Sequence, residues 1–233
     1  MEMKEIKKMK KHLAIAAIAI MAFGLINPVF AAKKKATSSY PSFGFVQEFA
    51  GVSKNGEITA DIYNTTGYPT HLRIGAFGGE VLVDPSNNAN TATGLGYKHP
   101  INPNLALYGK LFVNSATGGQ TNITLGASYT GQSGKLIYNG NGHFTNANGG
   151  NVSTFLINGA GFYLLDTKSL PGRVQLGGEL SLQISPSPTQ TNLFLGGRWQ
   201  PRKKVLIDLG LATSIGGTTA IQTPAFVRLN LGF

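Results

Sequence analysis

The chain has 233 residues, no cysteine, 31 glycines and 13% charged side chains, with 20 Lys+Arg against 10 Asp+Glu, and its mean hydropathy is zero. Without cysteine it can build neither a disulfide framework nor a thiolate metal site, and a helical membrane protein would need several apolar runs of about 20 residues where only one long run exists, at the start. Glycine stands at roughly twice its usual share of about 7%, but without a G-X-Y period and with ordinary apolar content, which excludes collagen and argues against disorder.

Residues 1–31 read as a cleaved secretory signal. Lys4, Lys7, Lys8, Lys10 and Lys11 precede an apolar core from Leu13 to Ile26, and Val29-Phe30-Ala31 supplies the small-residue cleavage site. The expected mature chain carries a net charge of +7, of which Lys33, Lys34 and Lys35 contribute three. That is a weak basis for a nucleic-acid partner, and an exported protein would meet none. Residues 32–41 are expected to form a periplasmic N-terminal segment ahead of a domain spanning 42–233.

From there the apolar residues alternate with period two, as in Val174, Leu176, Gly178, Leu180, Leu182, Ile184 against Arg173, Gln175, Gly177, Glu179, Ser181, Gln183. Breaks rich in Gly, Asn, Pro, Ser and Thr mark strands near 42–50, 56–65, 71–83, 91–98, 104–113, 121–130, 134–144, 153–165, 172–185, 190–200, 203–213 and 223–233. Tyr63, Tyr97, Tyr129, Tyr163, Trp199 and Phe233 fall at the ends of alternate strands, at spacings of 34, 32, 34, 36 and 34 residues. A spacing that regular marks a repeating hairpin. The domain is all-β and antiparallel, with twelve strands expected and ten as the alternative count. Within the segment 71–83 the alternation changes phase at Gly78-Gly79, where a β-bulge would restore register.

Alternation alone does not separate a soluble sandwich from a membrane barrel. Three features favour an up-and-down transmembrane barrel. Tyr97, Tyr129, Tyr163, Trp199 and Phe233 lie on the apolar face, as an interfacial girdle would. Connections beside them are tight, as in Gly131-Gln132-Ser133-Gly134, whereas those at the other end, such as Asp84 to Asn90, are longer. The chain also ends in a strand with Phe233 last.

That C-terminal run, Phe226-Val227-Arg228-Leu229-Asn230-Leu231-Gly232-Phe233, resembles the assembly signal of Gram-negative outer-membrane β-barrels. The pair around Gly94-Leu95-Gly96-Tyr97-Lys98 and Asn104-Leu105-Ala106-Leu107-Tyr108-Gly109 resembles hairpins of the same porin-like superfamily. The resemblance implies residence in the outer membrane among its lipids, export through the Sec translocon, and recognition of Phe233, Leu231 and Leu229 by the barrel-assembly machinery.

In such a barrel the charged series faces the lumen: Asp61, Arg73, Glu80, Lys98, Lys110, Arg173, Glu179, Arg198, Asp208 and Arg228, with Glu48 a further candidate. Hairpin arithmetic sets Asp61 opposite Arg73 and Asp208 opposite Arg228. Twelve strands enclose more than side chains alone fill, so the expected function is a passive channel for small hydrophilic solutes, with residues 32–41 as a candidate partial plug. A structural or adhesive barrel is the alternative; loops of about six to nine residues are short for receptor binding. A lipid hydrolase would need Ser and His at one depth. His71 and His99 are expected at periplasmic turns, and His143, near an outer loop, has at best Ser153 across that loop. No catalytic residue, cofactor or metal site is expected.

Overall fold

The computed structural model describes residues 45, 48–63, 70–85, 92–114, 120–147, 153–167, 169–184, 190–217 and 225–233. The expected signal (1–31), the segment 32–41 and most of the longer loops lie outside the described residues.

Twelve antiparallel strands close into one barrel: β1 (Ile58–Tyr63), β2 (His71–Ala76), β3 (Gly79–Asp84), β4 (Ala92–Asn102), β5 (Leu105–Asn114), β6 (Gln120–Ser133), β7 (Leu136–Ala147), β8 (Ser153–Leu165), β9 (Arg173–Ile184), β10 (Gln190–Arg202), β11 (Val205–Gly216) and β12 (Ala225–Gly232). Each strand pairs with its neighbours in sequence, and β1 meets β12 with Ala60 opposite Leu231 and Ile62 opposite Leu229. The Phe233 amide donates to the Ile58 carbonyl at 2.8 Å, so the last residue closes the seam. Closure satisfies every strand edge, which a membrane demands of a sheet.

The strand count agrees with the sequence reading, but two of its members differ. Of the expected strand 42–50, residues 42–44 and 46–47 lie outside the described residues, and Phe45 and 48–50 belong to none of the twelve strands; the wall begins at Ile58. The segment 71–83 is two strands rather than one bulged strand. Phe77 (φ 54°) and Gly78 (φ 78°) form a two-residue turn with consecutive left-handed residues, the geometry that joins twisted antiparallel strands. Ala76 then pairs with Gly79 and Ile74 with Val81, which accounts for the change of phase without a bulge.

Outward residues are apolar around the whole ring, and many are well exposed: Leu95 on β4, Leu176 on β9, Leu195 on β10, Leu209 and Leu211 on β11. Their inward neighbours are mostly polar or aromatic, with a few aliphatic ones such as Leu82 and Ala106, as on β12, where buried Phe226 and Arg228 alternate with exposed Ala225 and Val227. An apolar outside over a polar inside inverts the order of a soluble domain. Such a surface is compatible with lipid, where an outward Arg or Lys at mid-depth would cost about 2–4 kcal/mol.

Tyr97, Tyr129, Tyr163 and Trp199 lie toward the Phe233 end of the strands that run to it. Tyr63 does not join them: it ends β1 at the opposite rim and is buried inside. In strand order its counterpart on β2 is Phe77, 83% exposed at the turn and bonded through its carbonyl to the Tyr97 hydroxyl at 2.9 Å.

Candidate functional site: a lumen occupied by the chain's own segment

Phe45 and the residues from Glu48 to Ser53 occupy the lumen. Phe45, Phe49 and Ala50 are fully buried and Glu48 nearly so. This segment belongs to none of the twelve strands and is held by side chains of the inner wall at three places.

The first is an aromatic pocket on the β8–β12 side. Inward Gly177, Gly196 and Gly210 stand in register across β9, β10 and β11, with Phe162 opposite Gly177 and Phe226 opposite Gly210. A Cβ on Gly177 would run into the Phe162 ring, and one on Gly210 into that of Phe226. The glycines therefore form a floor over which the flanking rings lie. Phe45 packs edge-on against both, with ring centroids at 4.8 Å from Phe162 and 5.5 Å from Phe226. The Arg198 guanidinium lies over Phe162 at 4.7 Å and over Phe45 at 5.6 Å, a cation–π arrangement. The Phe45 amide donates to Glu179, and its carbonyl accepts from the Tyr63 hydroxyl.

The second is a cationic cradle on the β2–β5 side. Arg73 holds both carboxylate oxygens of Glu48, Nη1 to Oε2 at 2.8 Å and Nη2 to Oε1 at 3.0 Å. Lys98 reaches Oε2 at 3.3 Å and Lys110 reaches Oε1 at 3.1 Å. A bidentate guanidinium with two ammoniums is among the stronger arrangements a carboxylate can have. The Glu48 carbonyl is gripped as well, accepting from Ser128 at 2.7 Å, Asn139 at 3.2 Å and Asn141 at 3.3 Å on β6 and β7.

Near the Phe233 end lies the third place, where the Ala50 amide donates to Thr130 Oγ1 at 2.8 Å and the Ser53 hydroxyl to Glu80 at 2.6 Å.

Among the residues expected in the lumen, Asp61, Arg73, Glu80, Lys98, Glu179, Arg198, Asp208 and Arg228 are buried, and the Lys110 side chain nearly so. Arg173 is the exception: it opens β9 at the Phe233 rim and is exposed. Asp208 faces Arg228 in register, at 2.5 Å between Oδ2 and Nη2, and also receives Arg198 Nε at 2.9 Å. Asp61, by contrast, stands opposite His71 and reaches Arg73 only diagonally, at 3.4 Å, because β1 and β2 pair two residues away from the expected register, with Thr59 opposite Arg73. Sequence reasoning missed Asp84, read as the start of a loop. It ends β3, buried, accepting from Lys110 at 3.1 Å and lying 2.5 Å from His71 Nδ1.

The histidines also fall differently. His71 opens β2 at the rim opposite Phe233, not at a turn beside it, and is buried. His143 meets the Tyr108 hydroxyl at 3.1 Å and pairs across strands with Leu156, so Ser153 is not its neighbour. Among the described residues no group of three or more His, Asp or Glu side chains is placed to hold a metal ion.

No protein-family model matches the chain, and no curated protein is significantly similar to it in sequence. Solved structures similar to it include the KdgM porin, at TM-score 0.49 and 11% identity over 76% of this chain and 98% of that one. A loop L8 deletion mutant of OmpT, an outer membrane protein of Vibrio cholerae, has TM-score 0.40 and 13% identity over 70% and 62% of the two chains. The in-vitro folded trimer form of OmpT has 0.37 and 14% over 71% and 64%. These are distant likenesses, and the fold stands on the strand pairing itself: a closed, antiparallel, twelve-stranded barrel with an apolar exterior, the architecture of outer-membrane β-barrel proteins.

Proposed function

We propose that the protein is a channel of the Gram-negative outer membrane, a passive route for small hydrophilic solutes, closed from within by its own Phe45 and residues 48–53. One observation carries this reading: the wall is complete without the segment that fills it. All twelve strands find their partners among themselves, and the segment is held by side chains. Withdrawing it would break no strand pairing of the barrel and would leave a lumen lined by Arg, Lys, Asp, Glu, Asn, Ser and Thr, a polar path of the kind that selects solutes by charge and size.

The inner glycines support the same reading. Besides Phe162 and Phe226, Tyr108 lies opposite Gly126 and Phe112 opposite Gly94, and a Cβ at either glycine would strike the ring. Large inner side chains thus lie along the wall instead of filling the centre. In this reading the signal directs export, the apolar exterior contacts outer-membrane lipids, and the last strand is the element that the assembly machinery reads. No enzymatic step is assigned, since His143 is engaged by Tyr108. A purely structural barrel is the second reading, favoured by the extent of the buried ion network.

Planar-bilayer recording of the refolded protein decides between them. A variant lacking residues 42–53 is expected to show discrete conductance steps where the full chain rests closed. A folded, heat-modifiable variant that gives no steps at either polarity would remove the channel reading.

A further inference from the structure

The cradle around Glu48 brings three wall cations within 3.3 Å of one carboxylate that is not part of the wall. Lys98 and Lys110 each have a wall carboxylate, Glu80 at 2.8 Å and Asp84 at 3.1 Å. Arg73 is only loosely met by the wall, by Asp61 at 3.4 Å and Glu80 at 3.5 Å, and Asp61 also lies 3.6 Å from Arg228. Its two close, parallel bonds go to Glu48. Three wall cations therefore converge on one carboxylate that arrives on a separable segment, with its two oxygens held in the planar, two-pronged geometry that a guanidinium imposes on any carboxylate.

We propose that Arg73, Lys98 and Lys110 form a carboxylate-binding site in the lumen wall. Glu48 occupies it as an internal stand-in while the segment is seated, and a solute bearing a carboxylate takes it when the segment withdraws. The ligand class follows from the chemistry: a small hydrophilic anion whose carboxylate accepts the Arg73 pair, with the remaining body facing the amides of Asn139 and Asn141. A neutral amide of the same shape would offer one acceptor and turn an N–H against three cations, so the site discriminates by charge as well as by form. The role as a station on a permeation route rests on the channel reading, whereas the binding does not.

Chemical rescue tests the site in the full chain. Glu48→Gly removes the whole side chain, whose three carbons and carboxylate propionate reproduces, while propionamide keeps the shape without the charge. The probe is thermal unfolding of the refolded variant in detergent micelles. With a dissociation constant of about 10 mM, about 100 mM propionate should raise the folded-to-unfolded ratio of the variant roughly tenfold. Propionamide should not, and the wild-type protein, its site filled, should respond to neither. Refolding yield covers the case in which the variant folds poorly: folding promoted by propionate and not by propionamide supports the site. Equal behaviour with both, or no folding in either, overturns it. Absence of conductance from every variant would remove the channel reading and leave this result standing.

Discussion

The two sides of the lumen hold the same segment by different physics. On the β8–β12 side Arg198 and Arg228 both close on Asp208 within the wall, and the segment contributes an aromatic ring and the Phe45 amide, which donates to Glu179. Across the lumen, on the β2–β5 side, the wall's cations are completed by the segment's own Glu48. An anchor of the first kind is lost at the cost of packing. Losing the second also removes the closest ion pair of the buried Arg73. The cradle should therefore govern whether the segment stays seated, and the aromatic pocket where it sits.

Substitutions sharpen that contrast, the largest first. Glu48→Ala leaves Arg73, Lys98 and Lys110 without their shared partner and should cost about 3–5 kcal/mol, read as a lowered urea midpoint in micelles and as added conductance. Asp208→Asn should cost about as much, because it removes the carboxylate that Arg198 and Arg228 share, yet it should leave conductance at the wild-type level, since the segment is not its partner. If both variants conduct alike, the distinction between the two sides fails. Phe45→Ala empties the pocket and should cost about 3 kcal/mol, with openings more frequent than in wild type and fewer than in Glu48→Ala. Gly177→Ala forces a methyl into the Phe162 ring and should cost about 1–3 kcal/mol. Gly140→Ala meets open space and should fall within about 0.5 kcal/mol of wild type, as should Arg173→Ala at the rim. Equal midpoints for the two glycine variants would contradict the glycine floor.

Much of the wall is legible in the sequence because lipid outside and water inside impose a strict two-residue period from β4 to β12. The parts that escape are those where another principle wins. Phe77 in a left-handed turn is a conformation few bulky residues adopt, so the β2–β3 hairpin looks like one long strand with a fault. Residues 42–50 look like a strand because Phe43 and Phe45 alternate, but the pattern breaks at Val46-Gln47 and puts Glu48 beside Phe49. That break is the signal available: a segment that must meet aromatic groups on one side and cations on another has no reason to keep a sheet's period. The two departures offset each other, one false strand replacing one overlooked, which is how the count of twelve survives. Tyr63 illustrates the risk of spacing alone. It fits the aromatic interval, but the wall begins one strand later than the sequence suggests, so β1 runs the other way and carries Tyr63 to the far rim. Asp61 and Arg73 meet despite a misjudged register, because long side chains reach diagonal neighbours.

The central claim is that Phe45 and residues 48–53 close the lumen and can leave it. Because the chain has no cysteine, a single introduced pair tests it cleanly. The Ala50 amide donates to Thr130 Oγ1 at 2.8 Å, so Ala50→Cys with Thr130→Cys would tie the segment to β6. Single-channel recording of that variant should give a silent baseline when oxidised and discrete steps once a reductant is added. Steps of equal size and frequency in both states, or none in either, would contradict the account.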